Sequence, residues 1–209
     1  MNRHLLILTA LKHEAAAIEK GLKRVRGLEN RYRIYVIGPG AGKLSQLQKM
    51  PVDGIVMAGL AGGLDPQLRC GDVVIDEASQ SDVADSIWRR GKFHSAASII
   101  ASPKEKGELF RATGALVVDM ESDAARKLAT EWSVPYLGIR AVLDCADEAL
   151  DPALLRLTSP SGGVRAGAVV SQLLRRPTTV ATLLRMQSRS AFALKNLSAA
   201  IAQILQRVN

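Results

Sequence analysis

Short apolar, β-branched runs alternate with helix-like stretches over most of the chain. Runs at residues 5–11, 32–37, 54–58, 72–76, 97–101, 115–120 and 136–143 predict strands. Between them, the pattern predicts helices over 12–22, 43–50, 104–112 and 121–132. Strand and helix in regular alternation point to an α/β sheet covered on both faces, and ligands of such sheets sit at the carboxyl ends of the strands. That rule singles out Glu14 beyond the first strand, Gly59 to Gly63 after the third, Asp119 to Glu121 after the sixth and Asp144 after the seventh.

Ser159-Pro160-Ser161-Gly162-Gly163 marks a loop late in the chain, and the pattern beyond it is helical. A shorter helix is predicted over 165–176 and ends at Pro177. A long amphipathic helix follows over 180–205, with Leu194, Leu197, Ile201 and Leu205 on its apolar stripe and Arg185 and Arg189 on its polar side.

At 209 residues, one domain is expected, and 47% hydrophobic with 23% charged residues excludes a disordered chain. No uncharged apolar run approaches the roughly 20 residues of a membrane-spanning helix. The start, with Arg3 before Leu5-Leu6-Ile7-Leu8, mimics a signal peptide, yet it stops at Lys12-His13-Glu14, so a buried first strand is the preferred reading. Cys70 and Cys145 form no Cys-x-x-Cys pair, which suits a reduced cytosol. The net charge of +8 is uneven. From residue 152 to 209 there are eight Arg or Lys and no Asp or Glu, so the first 151 residues are neutral and the whole excess lies in the tail.

Several motifs bear on chemistry. Gly38-Pro39-Gly40-Ala41-Gly42-Lys43-Leu44 lacks the first Gly and the hydroxyl residue of a nucleotide-binding P-loop, so its glycines are expected to permit a tight strand-to-helix turn. Gly59-Leu60-Ala61-Gly62-Gly63 reads equally as a place where backbone N–H groups approach an anion or sugar and as a Gly-rich turn. Asp119-Met120-Glu121 ends a buried strand with two carboxylates on one face, either functional or capping the next helix. Arg140-Ala141-Val142-Leu143-Asp144-Cys145-Ala146-Asp147 runs into another acidic cluster. His4, His13 and His94 have no metal-ligand spacing, and no metal is expected.

Taken in order, Ala10-Leu11-Lys12-His13-Glu14, Gly59 to Pro66 with Gly71-Asp72-Val73-Val74, Asp119-Met120-Glu121-Ser122 and Arg140 to Asp147 resemble the purine nucleoside phosphorylase and methylthioadenosine/S-adenosylhomocysteine nucleosidase superfamily. The resemblance implies a three-layer phosphorylase/hydrolase-like α/β fold: a mixed central sheet flanked by helices over residues 1–150, with a basic helical extension over 151–209 packed on the same domain. It implies cleavage of a purine N-glycosidic bond, in which the leaving base needs a proton at N7, the ribose hydroxyls must be held, and a nucleophile waits on the opposite face. Asp144 matches the acid that protonates the purine and Glu14 the acid that orients or deprotonates water. Met120 and Glu121 match a ribose-binding pair. Arg140 matches an Arg near the nucleophile, and Asp119, Ala61 and Gly62 complete the implied substrate contacts. No cofactor is implied, and inorganic phosphate enters only as an alternative nucleophile to water.

The sequence departs from the hydrolases where Asp119 replaces Glu, Leu60 a small hydroxyl residue and Leu143 Ser, and the phosphate-binding Gly-Asp-Pro loop with its Arg is missing. Residues 81–101 are short for the family, which suits either a bulky 5′ substituent or a loop trimmed without consequence. The tail, with Leu173-Leu174-Arg175-Arg176-Pro177 and Leu183-Leu184-Arg185, is similar to the hopanoid-associated phosphorylase branch, which implies removal of adenine from adenosylhopane. The basic helix then reads as a membrane-surface contact or as a helical cap with solvated charges. Nucleic acid is disfavoured for want of interleaved aromatics. The expected enzyme is a cytoplasmic homo-oligomer, peripheral on the inner membrane face if the helix docks there. A methylthioadenosine/S-adenosylhomocysteine-type nucleosidase or a general purine nucleoside phosphorylase, and a silent nucleoside-binding or membrane-surface protein, are the alternatives.

Overall fold

A computed structural model describes residues 4–80, 88–150 and 178–207, with side chains of the last segment from residue 184. Leu5–Thr9 (β1) is buried along its whole length because both its faces are covered. Leu6 and Leu8 join Ile55, Met57, Ala125, Leu128 and Trp132 in one apolar layer. Leu5 and Ile7 point the other way, into a layer with Ile18, Leu22, Val56, Ile139, Leu194, Leu197 and Ile201. This two-residue alternation, apolar on both sides, is what a central strand of a three-layer fold requires.

The elements that follow β1 are Lys12–Leu22 (α1), Tyr32–Val36 (β2), Gly54–Gly63 (β3), Val73–Asp76 (β4), Arg89–Gly91 (β5), Phe93–Ser95 (β6), Pro103–Thr113 (α2), Val117–Asp119 (β7), Ser122–Trp132 (α3), Tyr136–Asp144 (β8) and Thr178–Arg207 (α4). The sheet runs β2-β1-β3-β8-β4-β5, with β7 joined to the far end of β3 and β6 to β7. It is mixed: β1, β2, β3 and β8 are mutually parallel, whereas β4 pairs antiparallel with β8 and β7 with β3. The expected sheet flanked by helices is therefore present, with α1 and α4 on one face and α3 on the other.

Three expectations are corrected. Residues 43–50 form only a 3₁₀ turn, Leu44–Gln46, because Leu44, Leu47 and Met50, spaced by three, reach the core from a 3₁₀ turn and an extended stretch without a full helix. Residues 97–101 are not a strand; Ala96 leaves the sheet after donating to the Asp119 carbonyl, and the chain then crosses open surface, where Ile99 is 49% exposed, to the Ser102 cap of α2. Gly59 to Gly63 do not follow the third strand. They extend it, pairing with β8 and then β7.

The long C-terminal helix is observed, and its apolar stripe from Ala193 to Leu205 is buried against α1 and the sheet, so that stripe is not free to enter a bilayer. Gly21 of α1 lies so close to Ser198 that a Cβ there would stand 2.5 Å from the Ser198 Cβ. Among the described residues, no helix is long and apolar enough to cross a membrane. The predicted helix over 165–176 and most of the tail motif lie outside the described residues.

Candidate active site

The carboxyl half of the β3–β8 seam carries the site. Beside Gly59, a Cβ would stand 2.5 Å from Arg140 Nη1 and 2.8 Å from Glu14 Oε1; glycine is required because two charged groups fill the volume a side chain would take. Farther along, between Ala61 and Gly62, the pairing shifts so that Ala61 faces Val142 and Gly62 faces Asp144. Leu143 is the extra residue of a bulge, a device that re-aims side chains next to active sites. It brings Asp144 over Gly62, where a Cβ would meet Asp144 Oδ2 at 3.5 Å.

Glu14, the third residue of α1, is buried, and its carboxylate accepts from Leu11 N–H at 2.9 Å and Leu60 N–H at 2.8 Å. Burial pushes its pKa up to about 7 against the pull of the Leu60 N–H bond and of Arg140. Arg140 is fully buried. It donates from Nε at 2.8 Å and Nη2 at 2.5 Å to Asp119 Oδ2, and from Nη2 at 3.4 Å to Glu121 Oε2. Its Nη1 is buried without an acceptor among the described residues.

Asp119 has no capacity left for a ligand. Ser95 Oγ donates to it at 2.8 Å, and Ser122 donates from both its hydroxyl and its N–H, besides Arg140. Burial opposes its ionisation, but Arg140 and these donors prevail and hold its carboxyl below the usual range. These bonds make Asp119 the residue that orients Arg140. The Ala61 methyl group packs with Leu68, Val74, Phe93 and Val142. Glu121 precedes α3 but makes no side-chain cap. Its Oε1 accepts from Gly40 N–H at 2.9 Å, which ties the glycine loop after β2 to the site. Met120, half-buried, lies between β7 and α3 and reaches that glycine loop, with its Cε 3.9 Å from the place of a Gly40 Cβ. The turn reading of that loop missed this role, although its backbone, with φ of 78° at Gly38 and 60° at Gly40, explains the glycines.

Asp144 is buried at the end of β8, and its pKa is raised, first by burial, against the opposing pull of Lys106. Its partner was not foreseen: Lys106 of α2, fully buried, forms a very short ion pair with Asp144 Oδ2 and donates to the carbonyls of Cys145 at 2.8 Å and Glu148 at 2.9 Å. Lys106 shares a helix face with Leu109 and Phe110, three and four residues on, and that spacing was the available signal. Glu148 accepts from Cys145 N–H at 2.9 Å and from Arg189 of α4 at 2.5 Å. The arginine expected on a free polar face is therefore an ion-pair partner of the loop beyond Asp144.

The site is thus a row of buried acids on a mixed sheet, the kind of arrangement that handles protons on two sides of one small molecule. Residues 76–175 match the model of the Phosphorylase superfamily. A 5′-methylthioadenosine/S-adenosylhomocysteine nucleosidase of Thermotoga maritima is 29% identical over 167 residues, covering 63% of this chain and 76% of that protein. Among solved structures, the futalosine hydrolase of Helicobacter pylori superposes with a TM-score of 0.66 at 14% identity, over 100% of this chain and 99% of that one. The methylthioadenosine/S-adenosylhomocysteine nucleosidase of Colwellia psychrerythraea, in complex with adenine, gives 0.67 at 16%, over 99% and 96%. The chain is thus similar in sequence, over part of its length, to the Phosphorylase superfamily and to a nucleosidase, and it shares its fold with the solved nucleosidases and hydrolase.

Proposed function

We propose that the protein is an enzyme that hydrolyses the N-glycosidic bond of an adenine nucleoside carrying a bulky apolar 5′ substituent. The observation that carries the reading is the seam itself: Glu14 and Arg140 meet at Gly59, Glu121 reaches the same guanidinium, and Asp144 stands over Gly62. Three residue steps of strand lead from one glycine to the other, roughly 10 Å, about the reach of a purine riboside. In this reading Asp144 protonates the base at N7, Glu121 with Met120 holds the ribose hydroxyls, and Glu14 takes a proton from water as it attacks C1′.

Water suits the nucleophile position better than phosphate. Asp119, Glu121 and Glu14 surround one guanidinium there, so a phosphate dianion would meet excess negative charge, whereas water finds a donor in Arg140 Nη1 and an acceptor in Glu14. An apolar 5′ group is supported by Ile99, which stands exposed between Ser95, a partner of Asp119, and α2, which carries Lys106. Exposed Leu184 and Phe192 on α4, near Arg185, favour an adenosylhopane-like lipid substrate met at a membrane surface, as in hopanoid synthesis.

The test is adenine release from adenosines bearing 5′ groups from methylthio to long alkyl, with and without inorganic phosphate. Free ribose products, no phosphate requirement and a kcat/KM that does not fall with alkyl length are expected. A ribose 1-phosphate product overturns hydrolysis, preference for methylthioadenosine returns the chain to that nucleosidase class, and no release from any member leaves a nucleoside-binding protein.

A further inference from the structure

Lys106 is the only buried residue of α2, and it is buried completely. Lysine is almost never fully buried unless paired, and a cation near a helix N-terminus opposes the helix dipole. An ammonium has three donors, and three acceptors surround this one: Asp144 Oδ2 and the carbonyls of Cys145 and Glu148. The set stays complete with a proton moved. A neutral amine donates twice, to the two carbonyls, and accepts from an Asp144 carboxyl. No hydrogen bond is lost when one proton passes from Lys106 to Asp144.

The other titratable and charged groups facing this pair are Cys145 and Glu148 on the loop after β8, Arg189 on α4 and Cys70 between β3 and β4. Glu148 and Arg189 pair with each other, so the Lys106–Asp144 unit carries one mobile proton in a closed surround.

We propose that Lys106 is a positioning residue for the acid: it stores the proton that Asp144 delivers to the leaving base. This rests on the nucleosidase reading above. As the C1′–N9 bond breaks and its electron pair moves onto the purine, one ammonium proton passes from Lys106 Nζ to the Asp144 carboxylate and from that carboxyl to N7. Lys106 is left as a neutral amine. Water adds its hydroxyl to C1′ and gives its proton to Glu14; through solvent an equal proton returns to Lys106. Without Lys106, Asp144 must draw its proton from solvent, and its protonated fraction falls tenfold for each pH unit above its own pKa.

The experiment uses the full chain, a 5′-alkylthioadenosine and its N7-methylated counterpart, whose base leaves neutral without a proton. Between about pH 5 and about pH 9 the parent is expected to keep its kcat on the first substrate into the alkaline range. Lys106→Met should stay within about threefold of it at the acid end and then fall behind it by about tenfold per pH unit. On the N7-methylated substrate the two proteins should run together at every pH. Parallel profiles on the first substrate, or equal losses on both substrates, would mean that Lys106 only anchors α2 and would overturn the proposal. Should Lys106→Met not fold, the neutral pair Asp144→Asn/Lys106→Met is compared with Asp144→Asn alone: equal kcat supports a role exerted through Asp144, and a further drop overturns it. If the parent releases base from neither substrate, the nucleosidase reading itself falls, an outcome distinct from both.

Discussion

At Gly59 the β3–β8 seam gathers Glu14, Asp119 and Glu121 about one guanidinium; at Gly62 the same seam sets Asp144 against one ammonium. The first cluster has more negative charge than its arginine can balance, and burial answers by pushing Glu14 up to about 7. At the second, charge is matched and hydrogen bonds are complete, so a proton is held where it is needed. In the proposed reading, one strand pair therefore carries a proton acceptor and a proton donor, separated by environment and not by residue type.

The sharpest way to break the comparison is to remove the shared cation. Arg140→Met leaves Asp119 and Glu121 buried without it and should cost about 3–5 kcal/mol in denaturant unfolding. A loss below about 1 kcal/mol would mean that the carboxylates are solvated or protonated.

Next is Glu14. Its folded pKa of about 7 lies above its ordinary 4.5, so the folded state binds the extra proton between these values. The favourable contribution is complete below the ordinary value and is lost as pH rises through about 7, by on the order of 3 kcal/mol. Urea midpoints should fall over that window in the parent and stay flat by comparison in Glu14→Gln, while kcat of the parent rises over the same window as the base ionises.

At the other cluster, Asp144→Asn should lower kcat at least about a hundredfold on adenosines that need N7 protonation, and it should lower Tm as well, because the buried Lys106 loses its counter-charge. Full turnover in that variant would remove Asp144 from the chemistry. Glu121→Gln keeps its shape and weakens a charge-assisted bond, so about tenfold should be lost on ribosides and much less on 2′- or 3′-deoxy analogues. Equal losses would confine Glu121 to holding Gly40 and Arg140. The smallest effect belongs to the rim: Arg189→Ala breaks a half-exposed pair with Glu148 and should cost less than about 1 kcal/mol.

The acids were legible because strand ends announce themselves: apolar runs stop at Asp119 and Asp144, and Glu14 opens a helix after the first run. The bases of the network were less so. Arg140 stood inside an apolar run and drew attention, but which carboxylates it binds depends on β7 running antiparallel to β3, a register no local pattern encodes. Lys106 sits in Pro103-Lys104-Glu105-Lys106-Gly107-Glu108, which reads as a solvated helix start. Gly40 and Glu121 are 81 positions apart, joined only by the fold. The missing strand at 97–101 has the same cause: an apolar run without alternation does not say whether a sheet edge will be there to receive it.

The close seat of Ser198 on Gly21 has a consequence for synthesis. Every candidate acid and base leaves the ribosome before α4 does, yet α1, which positions Glu14, is braced by a helix made after all of them. Until that helix arrives, Ile7, Ile18, Leu22 and Ile139 have an uncovered face, and the nascent chain is a sticky half-sandwich. The brace of the site therefore arrives late, when α4 closes over a sheet that was already complete.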